Sequence, residues 1–184
     1  MNENARRRYS PLAMLLHWAI AILVIINWRA AEAAEHASKA DGEKIMGNHF
    51  AFGVIILVLA IAHLIVRFTS PRPPLARHLK PWEAVLAKVT HALLGLLVIL
   101  LPLMGWTAMS FYGQPISVFG AFSLPPLPLS PDKDMAKAIF EAHGVVGAIL
   151  VYLMFLHIAG TLKHTLLDRD GNLFRMLPFG TPKA

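Results

Sequence analysis

The stretch from Ala138 to Leu167 reads AIFEAHGVVGAILVYLMFLHIAGTLKHTLL, an apolar run of thirty residues interrupted by His143, His157 and His164. His143 and His157 stand fourteen residues apart, which in a helix is a rise of roughly 21 Å and about 40° short of four full turns. Both imidazoles therefore leave one face, near opposite surfaces of a membrane. An ionisable side chain within a membrane segment is costly to bury and as a rule points into the bundle, where something compensates it. Two in register ask for the same kind of partner at two depths.

Composition sets the class around this stretch. The chain has 184 residues, is 56% hydrophobic and carries four long apolar runs; its mean hydropathy is +0.55. That describes one integral membrane domain over residues 1–184 rather than a water-soluble globule. The net charge of +6 does not call for nucleic acid, because the basic residues cluster in loops beside apolar runs, where bilayer orientation accounts for them. With no cysteine, the chain can hold no disulfide, no cysteine-ligated iron-sulfur cluster and no covalently attached c-type haem.

The other runs follow the same pattern. Leu12 to Ala30 is preceded by Arg6, Arg7 and Arg8 and followed by small residues, which imitates a secretory signal peptide; its internal His17-Trp18 pair favours a retained helix. Arg29 to Lys44 reads as a solvated polar loop. The second run, Met46 to Val66, ends at Arg67 before the breakers Ser70-Pro71-Arg72-Pro73-Pro74. The third, Ala84 to Phe111, contains Pro102, which in a membrane helix more often kinks than ends it. Helices are thus expected at about 12–30, 46–67, 84–111 and 138–167, in an all-α bundle of four transmembrane helices. Gly113 to Lys137 is a long proline-rich link whose apolar part, Ile116 to Phe122, is expected to fold back on the bundle. Lys133 and Lys137 in that link are expected to attract an anionic donor.

Lysine and arginine counts orient the bundle. The N-terminus, the loop from Arg67 to Lys88 and the tail from Lys163 hold 3, 5 and 4, against 3 and 2 in the remaining loops. Twelve against five places both termini in the cytoplasm. By depth, His17, His63, His91 and His157 then lie toward the cytoplasmic side with His164 at its boundary, while His49 and His143 lie toward the outer side. His36 and His78 are loop residues without a role. Gly53, Gly95 and Gly147 each follow a histidine by four residues, a spacing that lets something bulky approach; for any single pair, ordinary helix packing is the default reading.

The donor set selects the ligand. A bare zinc ion takes four ligands at about 2.0 to 2.2 Å, and two histidines per layer are too few. A porphyrin brings four nitrogens of its own, so two imidazoles complete a six-coordinate iron. Two layers then mean two haems b. With no open coordination position, such centres suit electron transfer better than oxygen binding. Structural histidines paired by hydrogen bonds are the alternative from spacing alone. Spacing also leaves the pairs open: His49 and His63 are fourteen apart just as His143 and His157 are, which allows His49 with His143 and His63 with His157 on two helices.

The ordered set His17-Trp18, His49-x-x-x-Gly53, Pro102-Leu103-Met104-Gly105-Trp106, His143 with His157, and Arg169-Asp170 before Arg175-Met176-Leu177-Pro178 resembles the bacterial cytochrome b561 family over nearly the whole chain. The resemblance implies a four-helix dihaem cytochrome of the bacterial inner membrane, multi-pass, similar in its bundle to the haem b subunits of nickel-iron hydrogenases and formate dehydrogenases. It implies His49 and His143 as axial ligands of the outer haem iron, and His17 and His157 as those of the inner one. The chain departs from the family at His63, where relatives tend to carry Arg, which suggests a position facing a haem propionate or the interface. It departs again at Lys163-His164, where many carry two histidines.

Function follows from the same resemblance: one-electron transfer between an outer-side donor such as superoxide and ubiquinone, as an oxidoreductase. A quinone site needs a protonatable group near the inner haem, for which His164 and His91 are candidates. Two other classes remain at this point. One is a membrane-anchoring haem b subunit of a hydrogenase or dehydrogenase complex, which would hold a large partner. The other is a non-redox transporter, in which the histidines would line a proton or metal path.

Overall fold

The computed structural model describes residues 8–71, 73 and 80–181. The readings of Arg6, Arg7, Arg72, Pro74 and His78 fall outside them. Four long helices carry the fold: α1 (Pro11–Glu35), α2 (Lys39–Thr69), α3 (Pro81–Phe111) and α4 (Lys133–Leu166). Each is long and apolar enough to cross a membrane. A two-stranded antiparallel hairpin, β1 (Ile116–Val118) and β2 (Phe122–Leu124), sits between α3 and α4, and a short 3-10 helix (Asn172–Met176) follows α4. The even number of crossings returns the chain to the end where it began, so the bundle has a terminal end and a hairpin end.

The helix starts are set by local chemistry. Ser10 caps α1 by accepting from Ala13 N at 3.2 Å, with Pro11 in the first turn, where its missing N–H leaves nothing unpaired. Asp132 caps α4 by accepting from the amides of Asp134 at 3.0 Å and Met135 at 2.9 Å. On α3, Glu83 accepts from the Lys80 amide at 3.0 Å. Pro102 lies inside α3 without ending it.

Two expectations are corrected here. The stretch from Arg29 to Lys44 is not a loop: α1 runs on to Glu35, α2 begins at Lys39, and only residues 36–38 connect them. Alanine, glutamate and lysine are good helix formers, so the helices outrun the hydrocarbon and stop only where Ser38 accepts from Asp41 N at 3.3 Å. The turn is tight, since a Cβ on Gly42 would lie 3.0 Å from the Ala34 carbonyl oxygen. Likewise α4 starts at Lys133 rather than at Ala138.

The link after α3 is ordered, as expected of its apolar part. Ile116 and Val118 are buried, and Phe119, held with Gly120 at positive φ in the turn, sets its ring 5.1 Å from Phe52 of α2. The proline-rich segment after β2 is stapled to the end of α3: Trp106 Nε1 donates to Pro125 O at 2.9 Å, and the Leu127 amide to Ser110 Oγ at 2.9 Å.

At mid-depth Leu97 and Leu101 of α3 meet Leu150 and Leu153 of α4, with Val24 of α1 packed against them. This apolar plug separates the two ends of the bundle. Outward, Ile22, Val58, Ile65, Leu96, Val145 and Phe155 are exposed, the surface a helix bundle shows to lipid. At the terminal end the tail folds back on α1. The Tyr9 amide donates to Arg175 O at 3.1 Å, and Trp18 Nε1 to Met176 O at 2.7 Å.

Candidate functional site

The histidines gather at two levels, one on either side of the leucine plug. At the hairpin end, His49 of α2 faces His143 of α4 with ring centroids 6.1 Å apart. At the terminal end, His17 of α1 faces His157 of α4 at 6.2 Å. Two imidazoles bound axially to one iron have Fe–N bonds of about 2 Å, which places their ring centres roughly 6 Å apart. Both pairs meet that requirement.

The hairpin-end pair shows how the sequence prepares such a site. His49 Nδ1 donates to the backbone oxygen of Asn27 at 3.1 Å, a bond that fixes the ring and leaves Nε2 bare for a metal. Asn27 itself is buried in α1, and its Oδ1 has no hydrogen-bond partner among the described residues. Gly105 lies against the pair, since a Cβ there would come 3.8 Å from His143 Cε1. Beyond, Phe50, Phe140 and Tyr112 form a row with centroid spacings of 6.2 and 6.1 Å toward the hairpin end.

The glycines correct the packing default. A Cβ on Gly53, Gly95 or Gly147 would meet nothing within 4 Å. These positions are therefore not small in order to admit a neighbouring helix. Gly53 and Gly147 follow His49 and His143 by just over one turn on the same faces; they leave flat helix surface beside the facing imidazoles, as a planar macrocycle requires. The donor set and its surroundings fit a haem.

The terminal end holds more histidines than one iron can use. His17 lies at the centre, 6.2 Å from His157 and 6.4 Å from His63. His91 of α3 touches His157 with centroids 4.9 Å apart, too close for an iron between them, and its Nδ1 donates to its own helix at Ala87 O, 2.6 Å away. Spacing left open a pairing of His63 with His157; among the described residues the ring contact that His63 makes is with His17.

His164 faces carboxylates rather than histidines. Its Nδ1 lies 2.8 Å from Asp168 Oδ2 and 3.0 Å from Asp170 Oδ2. Lys163 bridges Glu83 of α3 at 2.5 Å and Asp168 at 2.7 Å, and the Lys163 hydrogen bond holds the Asp168 carboxyl below its ordinary value. His164 was singled out from the sequence, but its carboxylate surroundings, Glu83 and Asp168, and the buried Asn27 were not. The available signals were a lone amide inside an apolar run and a Glu three residues into a helix. Asp132, Asp134 and Glu141 share the turns of Lys133 and Lys137, and Lys137 Nζ lies 3.9 Å from Glu141 Oε1.

A family model described as prokaryotic cytochrome b561 matches residues 8–179. The chain belongs to the prokaryotic cytochrome b561 family. Members of this family are membrane haem b proteins of electron transfer, and four spans make this chain a multi-pass bacterial membrane protein. It is 28% identical over 172 residues to a probable superoxide oxidase CybB of Yersinia pestis, covering 94% of this chain and 97% of that protein. Two proteins of Escherichia coli strain K12 are similar over comparable lengths. Cytochrome b561 homolog 1 is 25% identical, covering 93% of this chain and 97% of that one; homolog 2 is 28% identical, covering 95% and 93%.

Proposed function

We propose that this cytochrome b561 binds two haems b, one between His49 and His143 and one between His17 and His157, and carries electrons across the bacterial inner membrane from a small outer-side donor to ubiquinone. The observation that carries the reading is the pair of facing imidazole couples, 6.1 and 6.2 Å across, at opposite ends of one membrane bundle. Haem iron, once bound, supplies a one-electron couple. The chain's own part is to hold each imidazole: the Asn27 carbonyl orients His49, the Trp18 indole is tied down beside His17 by Met176, and the leucine plug keeps water out between the levels. The name of the Yersinia relative supports superoxide as the donor.

In the membrane-reconstituted protein, superoxide is expected to reduce the haems within the mixing time, seen as the rise of their reduced α-bands, and added ubiquinone to reoxidise them with formation of ubiquinol. Haem that superoxide reduces but ubiquinone never reoxidises would remove quinone from the reading.

The lysine and arginine bias further puts both termini in the cytoplasm. Because the chain has no cysteine, single cysteines report cleanly. Ala37→Cys and Ser130→Cys are expected to react with an impermeant thiol reagent in cells with a permeabilised outer membrane, and Ser70→Cys to stay unlabelled. Labelling of Ser70→Cys alone would invert the topology.

A further inference from the structure

The helices of the bundle are not evenly joined. α1 packs on α2, α2 on α3 and α3 on α4, but α1 and α4 have no comparable packing among the described residues. They are the two ends of an open arc. Side chains bridge the seam between them: His17 faces His157 at 6.2 Å, and Trp28 sets its ring edge-on to Phe155 at 6.0 Å. The hairpin-end pair instead joins α2 to α4 across the inside of the arc, behind α3. Of the two sites, the terminal-end one therefore borders the seam.

The C-terminal segment crosses this seam. Arg169 and Gly171, both at positive φ, turn the chain back after α4, and the 3-10 helix then packs on α4. Its backbone is bonded to the other side. Arg175 O accepts from the Tyr9 amide at 3.1 Å and Met176 O from Trp18 Nε1 of α1 at 2.7 Å, while Arg8 Nη1 donates to Leu177 O at 3.1 Å. The Trp18 ring lies 5.5 Å from that of its neighbour His17, so the segment is fastened beside one ligand of the terminal-end site.

Without cysteine, the chain holds haem by no thioether bond, so what keeps haem in place is axial coordination and the closure of the protein around it. The macrocycle is flat and largely apolar, and travels in a bilayer rather than in water. A seam between two membrane helices is where such a molecule arrives. We propose that haem enters and leaves the terminal-end site through the seam between α1 and α4, and that the segment from Gly171 to Leu177 is the strap that closes it. The proposal rests on the dihaem reading above. The strap is held by a few hydrogen bonds and the packing of one short helix, ties weak enough to open while the α1–α2 and α3–α4 hairpins stay folded.

Entry and exit share one path by microscopic reversibility, so haem loss from the loaded, full chain in detergent tests it, with excess apomyoglobin as the acceptor. The haem that leaves is assigned by repeating the measurement in His143→Leu, which keeps the terminal-end haem alone. Trp18→Phe retains an aromatic ring and deletes the N–H. In it the terminal-end haem is expected to leave roughly three to ten times faster, the worth of one hydrogen bond, while the hairpin-end haem leaves at the wild-type rate. In Tyr9→Cys/Met176→Cys, joining the two thiols with a short bis-maleimide is expected to slow loss of the terminal-end haem at least about tenfold and to spare the other. A tie that served only general stability would move both haems together. A rate that the deletion or the cross-link leaves unchanged, or a change shared by both haems, would overturn the strap. Should the double-cysteine chain fail to load haem, Trp18→Phe decides alone. A wild-type chain that loads only one haem overturns the dihaem reading and the strap with it; two haems whose loss ignores the strap overturn the strap alone.

Discussion

Replacing His17 with leucine is expected to halve the haem content, leaving one low-spin haem per chain, whereas His63→Leu keeps both. His17 is the ring between the other two, 6.2 Å from His157 and 6.4 Å from His63. Both separations admit an iron, but only the first pairs His17 with a histidine of α4, the helix against which the 3-10 helix that clasps Trp18 packs. His157 cannot draw on His91 instead, since those rings are in contact at 4.9 Å. A five-coordinate iron left on His157 alone would open one axial position and turn high-spin, so the visible spectrum separates partial loss from full retention. If His63→Leu loses the haem and His17→Leu retains it, the assignment at this end is wrong.

A second large effect is expected where no ligand is touched. Gly147→Phe, or Gly53→Phe, should abolish haem binding at the hairpin end and leave the other haem in place. A Cβ at either position meets nothing within 4 Å, so the new ring has room to enter the space beside His49 and His143 without forcing the helices apart. Loss of glycine within a helix favours that helix, by up to about 1 kcal/mol, which argues against unfolding as the cause. Gly47→Phe is the control: Gly47 is equally open, exposed, and two residues before His49, hence on the far side of α2. Haem retained in Gly147→Phe with an unchanged spectrum would show that the glycine face is not part of the site.

The four helices were legible in the sequence because hydropathy reports the hydrocarbon directly. Their ends were not, because hydropathy does not report the helix. Ala30 to Glu35 and Lys39 to Ile45 are polar yet helical, and only the caps mark the turn between them, Ser38 above all. The two levels of histidine were equally legible, since fourteen residues on one helix fixes both depth and face. Which helix faces which was not. That His17 stands between His157 and His63, that the Asn27 carbonyl accepts the His49 hydrogen bond, and that Lys163 reaches Glu83 eighty positions away are facts of helix packing. Spacing along one chain segment carries no information about its neighbour's rotation. The packing default for the glycines failed for the same reason: the sequence shows a small residue, and only the bundle shows that no helix lies against it.

The central claim is that each level of paired histidines holds one haem b. Pyridine haemochrome quantitation on purified protein of known chain concentration, together with the reduced-minus-oxidised spectrum, tests it most directly. Two haems b per chain, both low-spin before and after reduction, is the predicted result. One haem per chain, a high-spin component in the intact protein, or a folded and colourless preparation would contradict it.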